Sequence, residues 1–232
     1  MIQDEIYRLR KEFFNEHAEK WCDMWYRDHA TGRSDKHQKD FERLFSLLPL
    51  RPGFHVLDVG CGTGVLVPFI IERITSTGIL YELDFADRMI EVNRRLHQQE
   101  NLRFLIADAE NAPLNAACCD VVICFSCFPH FQDKENALLV LSRILKPGGV
   151  FVLAHFDSAV GINKHHAACH AVRHDHLPDK AAMEILLQRA ALAIDIFIDE
   201  PGFYLIRAKK SSPQESDNKL SDLRNTLIRG RF

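Results

Sequence analysis

The sequence contains no long apolar run. An uncharged stretch such as Val121 to Gln132 is far short of the roughly 20 residues that a membrane-crossing helix requires, so no membrane span is expected. The opening residues, Met1-Ile-Gln-Asp-Glu-Ile-Tyr-Arg-Leu-Arg-Lys, carry charges throughout and lack the apolar core of a signal peptide. Neither sign of charge dominates: 29 Lys and Arg stand against 32 Asp and Glu, a net charge of −3. Such a balance offers no global basic field to nucleic acid or to an anionic membrane. An even set of cysteines is missing too. There are seven, and Cys118, Cys119, Cys124 and Cys127 sit within apolar, strand-like runs, which is thiol usage rather than a disulfide framework. A reducing cytoplasm is the compartment expected.

What is present suits one soluble domain. Of 232 residues, 47% are hydrophobic and 26% charged, enough to build a core without disulfides or metal. Residues 3–27 read as a helix carrying Tyr7, Phe13, Phe14, Trp21, Trp25 and Tyr26, and a polar stretch from Arg27 to Asp40 leads to a second helix stopped by Pro49 and Pro52. Strands and helices then alternate. His55–Val59, Gly78–Leu83, Leu102–Ile106, Val121–Phe125 and Val150–Ala154 read as strands; Val65–Arg73, Ala86–Gln98 and a helix capped by Asp133 lie between them. This alternation predicts an α/β fold with a mostly parallel sheet covered by helices on both faces. Residues 158–178 are His-rich without clear periodicity. Asp179 is placed to cap a further helix, and Ile194–Ile198 with Phe203–Ala208 reads as a closing antiparallel hairpin around Pro201-Gly202. The expected organisation is a single domain over 1–209, with 1–48 as an N-terminal helical segment, 158–178 as an insert, and 210–232 as a polar, basic tail bearing Leu220, Leu223 and Leu227.

The most informative segment is Val56-Leu-Asp-Val-Gly60-Cys-Gly62-Thr-Gly64, at a strand-to-helix junction where glycine lets backbone approach a ligand. A dinucleotide-binding G-x-G-x-x-G would place its last glycine at 65, where Val65 stands. The spacing D-x-G-x-G-x-G instead resembles that of Rossmann-like (class I) S-adenosylmethionine-dependent methyltransferases. Asp84, twenty residues after Gly64, opens Asp84-Phe-Ala-Asp-Arg-Met89, similar to the family's D-x-S-x-x-M with Ala86 in place of the hydroxyl residue. Ile106-Ala-Asp108-Ala109, Asp120–Ser126 and Arg143-Ile-Leu-Lys-Pro-Gly-Gly149 match in order. Phe13–Trp21 resembles the N-terminal helix of the family's small-molecule branch, the type akin to ubiquinone and menaquinone methylases.

The resemblance implies a fold, a cofactor and roles for particular residues. The glycine loop, Gly60, Cys61, Gly62 and Gly64, would pass beneath the methionyl part of S-adenosylmethionine, with Asp58 ordering the loop and the amino group. Asp84 would bond the ribose hydroxyls, with Glu82 as a rival on strand alternation. Phe85 and Met89 would flank the adenine, Asp108 and the Ala109 amide would bond its edge, Ser126 would lie beside the cofactor, and Trp21 or Trp25 would close the site as a lid.

Methyl transfer requires a base only when the acceptor arrives protonated. His130 and His155, following the fourth and fifth strands, are the catalytic candidates. In the insert, His165, His166 and His170 are expected to line an acceptor pocket; on a helix His166, His170 and His174 would share a face, but their spacing matches no strong metal signature, and no metal is expected. The reading is a methyltransferase acting on a small molecule, without nucleic acid, its oligomeric state left open. Two alternatives stand beside it: a cofactor-binding regulatory module, and a nicotinamide-dependent oxidoreductase.

Overall fold

Continuous runs of Val, Ile, Leu and Phe mark strands buried on both faces, and they build the centre of the molecule. The computed structural model describes residues 2–27 and 37–211. Seven strands form one sheet in the order β3-β2-β1-β4-β5-β7-β6. They are β1 (His55–Val59), β2 (Ile79–Asp84), β3 (Leu102–Ile106), β4 (Cys119–Phe125), β5 (Leu145–His155), β6 (Leu192–Glu200) and β7 (Phe203–Lys210). The first five run parallel, while β7 pairs antiparallel with both β5 and β6. The chain winds outward from β1 to β3 and then returns to set β4 on the other side of β1. At that reversal the connections leave β1 and β4 in opposite directions, which opens a crevice at the strands' carboxyl ends.

Two cores flank the sheet. On one face Leu57, Val122, Phe151 and Leu153 meet the apolar stripes of α6 (Lys134–Ile144) and α8 (Lys180–Arg189). On the other, Val56, Val121, Ile123 and Val152 meet α3 (Gln38–Leu47) and α4 (Val67–Ile74). A smaller cluster joins Phe14 and Ala18 of the N-terminal segment to Ala86, Met89 and Val92 around α5 (Asp87–Leu96). Asp133 and Asp179 cap α6 and α8 by accepting the Asn136 and Ala182 N–H groups, each at 2.9 Å, as their positions in the sequence predict.

The N-terminal segment departs from the single helix expected over 3–27. It is α1 (Ile2–His17), a 3-10 turn (Ala18–Lys20) and α2 (Trp21–Trp25). His17 Nδ1 lies 2.7 Å from the Phe13 carbonyl, and the break turns Trp21 and Cys22 onto the glycine loop, with Cys22 Sγ 3.1 Å from Thr63 Oγ1. The His-rich insert likewise holds a regular element, α7 (Ala159–Ala168), where Ser158 accepts the Gly161 N–H at 3.2 Å. The helix read from Val65 begins only at Val67, because the residues before it remain in the turn of the loop. The tail beyond Ser211 and much of the polar stretch after Arg27 lie outside the described residues. Among the described residues no helix is long and apolar enough to cross a membrane.

Gly64 shows how tightly the loop is packed. Its φ is +85°, and a Cβ there would collide with Asn93 Oδ1 and come within 2.8 Å of His97 Cδ2. Gly64→Ala is therefore expected to destabilise the fold by about 2–4 kcal/mol, through left-handed backbone strain plus overpacking. Gly148→Ala, with φ +74° and open space around it, should lose only about 1 kcal/mol. Thermal unfolding of the two variants measures the difference.

Candidate active site

The loop after β1 is held from the side by β2. The Cys61 N–H donates to the Leu83 carbonyl at 3.0 Å. The Asp84 carboxylate accepts the Gly62 N–H on one oxygen, at 2.9 Å, and the Ala86 N–H on the other, at 2.8 Å. Asp84 thus shapes the loop and starts α5, while each of its oxygens keeps a lone pair for a ligand. The three glycines differ in role. A Cβ on Gly60 would strike Cys127 and one on Gly64 would strike Asn93, whereas one on Gly62 (φ +53°) would make ordinary contacts with Trp21 at 3.5 Å and Met89 at 4.0 Å. Gly62 and Gly60 both line the cavity. Gly64, expected in the ligand site, is turned against α5 instead and lines none of the cavities described below.

Asp58 and Glu82 are partners across one rung of the β1–β2 ladder, and Asp84 ends the same strand. All three are buried, at 1%, 0% and 7% exposure. Among the described residues Asp58 Oδ2 and Glu82 Oε1 have no hydrogen-bond partner, while Glu82 Oε2 accepts from Asn93 Nδ2 at 2.6 Å. Burial, with the neighbouring Glu82 charge, pushes the Asp58 carboxyl well above its ordinary range. Burial likewise raises Glu82, and it raises Asp84 to about 6 against the pull of its backbone hydrogen bonds. No Lys or Arg among the described residues lines this part of the cavity.

Three chambers meet here. The first, towards β3, is walled by Asp84, Phe85, Asp108 and Ala109, with Tyr7 and Arg10 contributed by α1. The Tyr7 hydroxyl donates to Asp108 Oδ2 at 3.2 Å. The second is walled by Asp58, Gly62, Asp84, Met89, Trp21 and Ser126. Ser126 adopts φ +54°, a strained conformation for a non-glycine residue, and its N–H donates to Ala154 at 2.9 Å. Glu82 lines neither chamber. The third chamber, of about 380 Å³, lies under the insert and is walled by aromatic rings together with His130, His155, His165 and His166.

The histidines separate clearly. His155 is buried with an unpartnered Nε2, and burial, aided by His130 and His166, lowers it to about 3. His166 Nδ1 lies 3.0 Å from the Asp175 carbonyl, and burial and His130 lower it to about 4. His165 is exposed with its ring edge against Trp25, 5.6 Å between centroids. His170 is exposed and lines none of the three chambers, contrary to expectation: α7 ends at Ala168, so no helical face continues to His170 and His174. Among the described residues no three His, Cys, Asp or Glu side chains are grouped to hold a metal ion. His130 Nδ1 lies 2.7 Å from Asp175 Oδ2, and Asp175 Oδ1 accepts from Arg10 Nη2 at 2.5 Å.

Arg10, Asp175 and Asn93 did not emerge from the sequence as site residues. Arg10 and Asn93 carried a signal: each is a polar residue on an apolar helical stripe, Tyr7–Arg10–Phe14 in one helix and Met89–Ile90–Asn93 in the other. Asp175 has no such mark.

The uncompensated acids predict a stability trade. Asp58 has a raised pKa in the fold, so its contribution is favourable while protonated and is lost as pH rises through the folded value. Asp58→Asn should accordingly raise the melting temperature of the ligand-free protein at pH 8, by roughly 3–6 °C for a gain of about 1–2 kcal/mol, and by less at pH 5. Differential scanning fluorimetry at the two pH values checks this.

Residues 57–153 match a family model described as a methyltransferase domain. A ubiquinone/menaquinone biosynthesis C-methyltransferase of Idiomarina loihiensis is 33% identical over 115 residues, covering 48% of this chain and 46% of that protein. A malonyl-[acyl-carrier protein] O-methyltransferase of Pectobacterium atrosepticum is 34% identical over 113 residues, covering 49% and 43%. The matched part of the chain thus spans less than half the length of these curated relatives. A crystal structure of an S-adenosylmethionine-dependent methyltransferase from Aquifex aeolicus superposes with a TM-score of 0.64 at 16% identity, over 84% of this chain and 98% of that one. Residues 57–153 are thus similar to a methyltransferase domain, and the sheet around them shares its fold with that solved structure.

Proposed function

We propose that the protein transfers a methyl group from S-adenosylmethionine to a small-molecule acceptor. The observation that carries this reading is a row of three neighbouring chambers that share wall residues, from Asp108 past Gly62 to the aromatic rings, with the buried acids Asp58 and Asp84 and no described Lys or Arg lining the middle one. The residues fit the cofactor. Gly62 presents bare backbone to the cavity, and the orphan Asp58 Oδ2 suits an ammonium group. The free lone pairs of Asp84 suit ribose hydroxyls, Asp108 and the Ala109 N–H suit an adenine edge, and Phe85 with Met89 supplies apolar contact. When bound, the cofactor supplies an electrophilic methyl on a sulfonium.

The chain's own part is to position and to exclude water. Trp21 stands 3.5 Å from where a Gly62 side chain would begin, so the N-terminal segment acts as a lid over the loop. Residues 1–209 act as one unit in this reading, with 1–48 as that lid and α7 with its following turn as the acceptor-side cover. The net charge of −3 argues against a nucleic-acid substrate. All seven cysteines are free, in keeping with a reducing, cytoplasmic setting. The relatives named above are described as acting on carbon in one case and oxygen in the other, and similarity to them accords with either acceptor atom.

Isothermal titration with S-adenosylhomocysteine tests the cofactor claim. Asp84→Ala should weaken binding by about 1–3 kcal/mol, roughly 5- to 150-fold. Absence of heat with the folded wild type would sink the claim, and normal binding by Asp84→Ala with loss in Glu82→Ala would reassign the ribose contact.

A further inference from the structure

We propose that His130 is the base of the transfer, positioned by Asp175 and Arg10, and that the acceptor is a neutral, ring-bearing molecule methylated on a hydroxyl oxygen. This deepens the methyltransferase reading and rests on it. Among the described residues His130 is the one side chain that lines all three chambers. It ends the short 3-10 turn Phe128–His130 that follows β4. Its Nδ1 faces the Asp175 carboxylate at 2.7 Å, so Nδ1 carries the proton and Nε2 the lone pair. Among the described residues Nε2 has no hydrogen-bond partner, and it is not sealed from the cavity.

Arg10 holds this histidine from both ends. Its Nη2 donates to Asp175 Oδ1 at 2.5 Å, and its Nη1 donates to the His130 carbonyl at 2.6 Å. Arg10 and Asp175 are buried, at 6% and 5% exposure, and come from α1 and from the insert, 165 residues apart. A desolvated pair of this kind is weak support for stability, whereas it fixes an imidazole well. Burial opposes the Asp175 charge, but the bonds from His130 and Arg10 outweigh it and keep the carboxyl below its ordinary range. The other groups facing the ring are His166, with centroids 4.9 Å away, His155 from β5, and Lys134, whose ammonium donates to the Pro129 and Phe131 carbonyls.

In the step, the acceptor hydroxyl gives its proton to His130 Nε2 as its oxygen bonds the methyl carbon. The carbon–sulfur bond breaks with its electron pair on sulfur, leaving a neutral thioether. The imidazolium stands against the Asp175 carboxylate until it returns the proton to water. The wall of the third chamber narrows the acceptor. Phe14, Trp21, Trp25, Phe125 and Phe156 offer ring faces. No Lys or Arg among the described residues is there to receive a permanent anion, and the charged side chain that does line it, Asp157, would repel one. An arylamine or a thiolate needs no base whereas a neutral hydroxyl does, so an oriented base favours a hydroxyl over either of them.

The test uses 1-naphthol, 1-naphthylamine and 1-naphthalenethiol as matched acceptors with S-adenosylmethionine. The naphthol should be the preferred acceptor. His130→Gln and Asp175→Asn should each lower its kcat by roughly 100- to 10,000-fold, far more than either changes S-adenosylhomocysteine affinity, and the residual rate should rise with naphthol ionisation. Nitrogen-15 NMR of the unsubstituted protein should show His130 protonated on Nδ1 and bare on Nε2, a readout that stands even if the Asp175 variant fails to fold. An Nε2-protonated ring, or full naphthol turnover in either variant, overturns the base. Preference for the amine or thiol, or adenosylhomocysteine binding without turnover of any of the three, overturns the acceptor class. Failure to bind adenosylhomocysteine at all removes the underlying methyltransferase reading instead.

Discussion

Three carboxylates, Asp58, Glu82 and Asp84, are buried side by side where β1 and β2 end, and no described Lys or Arg lines the chamber beside them. Much of the site is built from these acids. Asp84 receives the backbone of the glycine loop and of the start of α5, and Glu82 receives the Asn93 amide, which in turn packs on Gly64. Burying like charges together costs free energy in the empty protein and raises their pKa values. A ligand with a positive centre and hydrogen-bond donors relieves that cost. The strain is thus local to the place where binding has to occur.

The second organising contact lies on the other side of the cavity. Arg10 and Asp175 join the N-terminal helix to the insert across the carboxyl ends of the strands, with His130 between them. The N-terminal helix, the insert and His130 are therefore one hydrogen-bonded unit. Movement of α1 away from the sheet would release the histidine as well as open the chamber, which couples closure to readiness for chemistry.

The architecture was legible in the sequence because strands buried on both faces read as unbroken apolar runs, and glycines and prolines punctuate them. The α/β sheet and its antiparallel closing hairpin follow from that pattern. The glycine loop and the acids after β2 and β3 were legible for another reason: their spacing along the chain is short and set by a strand-to-helix turn. Arg10, Asp175 and His130 were not legible as a unit, since they meet only through the tertiary fold. His170, expected from its place among the insert's histidines to line the acceptor pocket, lies beyond the end of α7 at Ala168, exposed and outside the three chambers. Gly64 looked like a ligand glycine and is a packing glycine, a distinction set by Asn93 some thirty residues on.

The most direct measurement is the ratio of affinities for S-adenosylmethionine and S-adenosylhomocysteine at pH 8 and at pH 5. The two ligands share every group except the sulfonium methyl, so their ratio isolates the positive charge. Protonation of Asp84 near pH 6, with its buried neighbours above the ordinary carboxyl range, removes negative charge from the wall as pH falls. The relative preference for the sulfonium should therefore drop on acidification by about fivefold, about 1 kcal/mol for one carboxylate near one cation. A ratio that is the same at both pH values would contradict the claim that the charge of these acids favours a positive centre in the site.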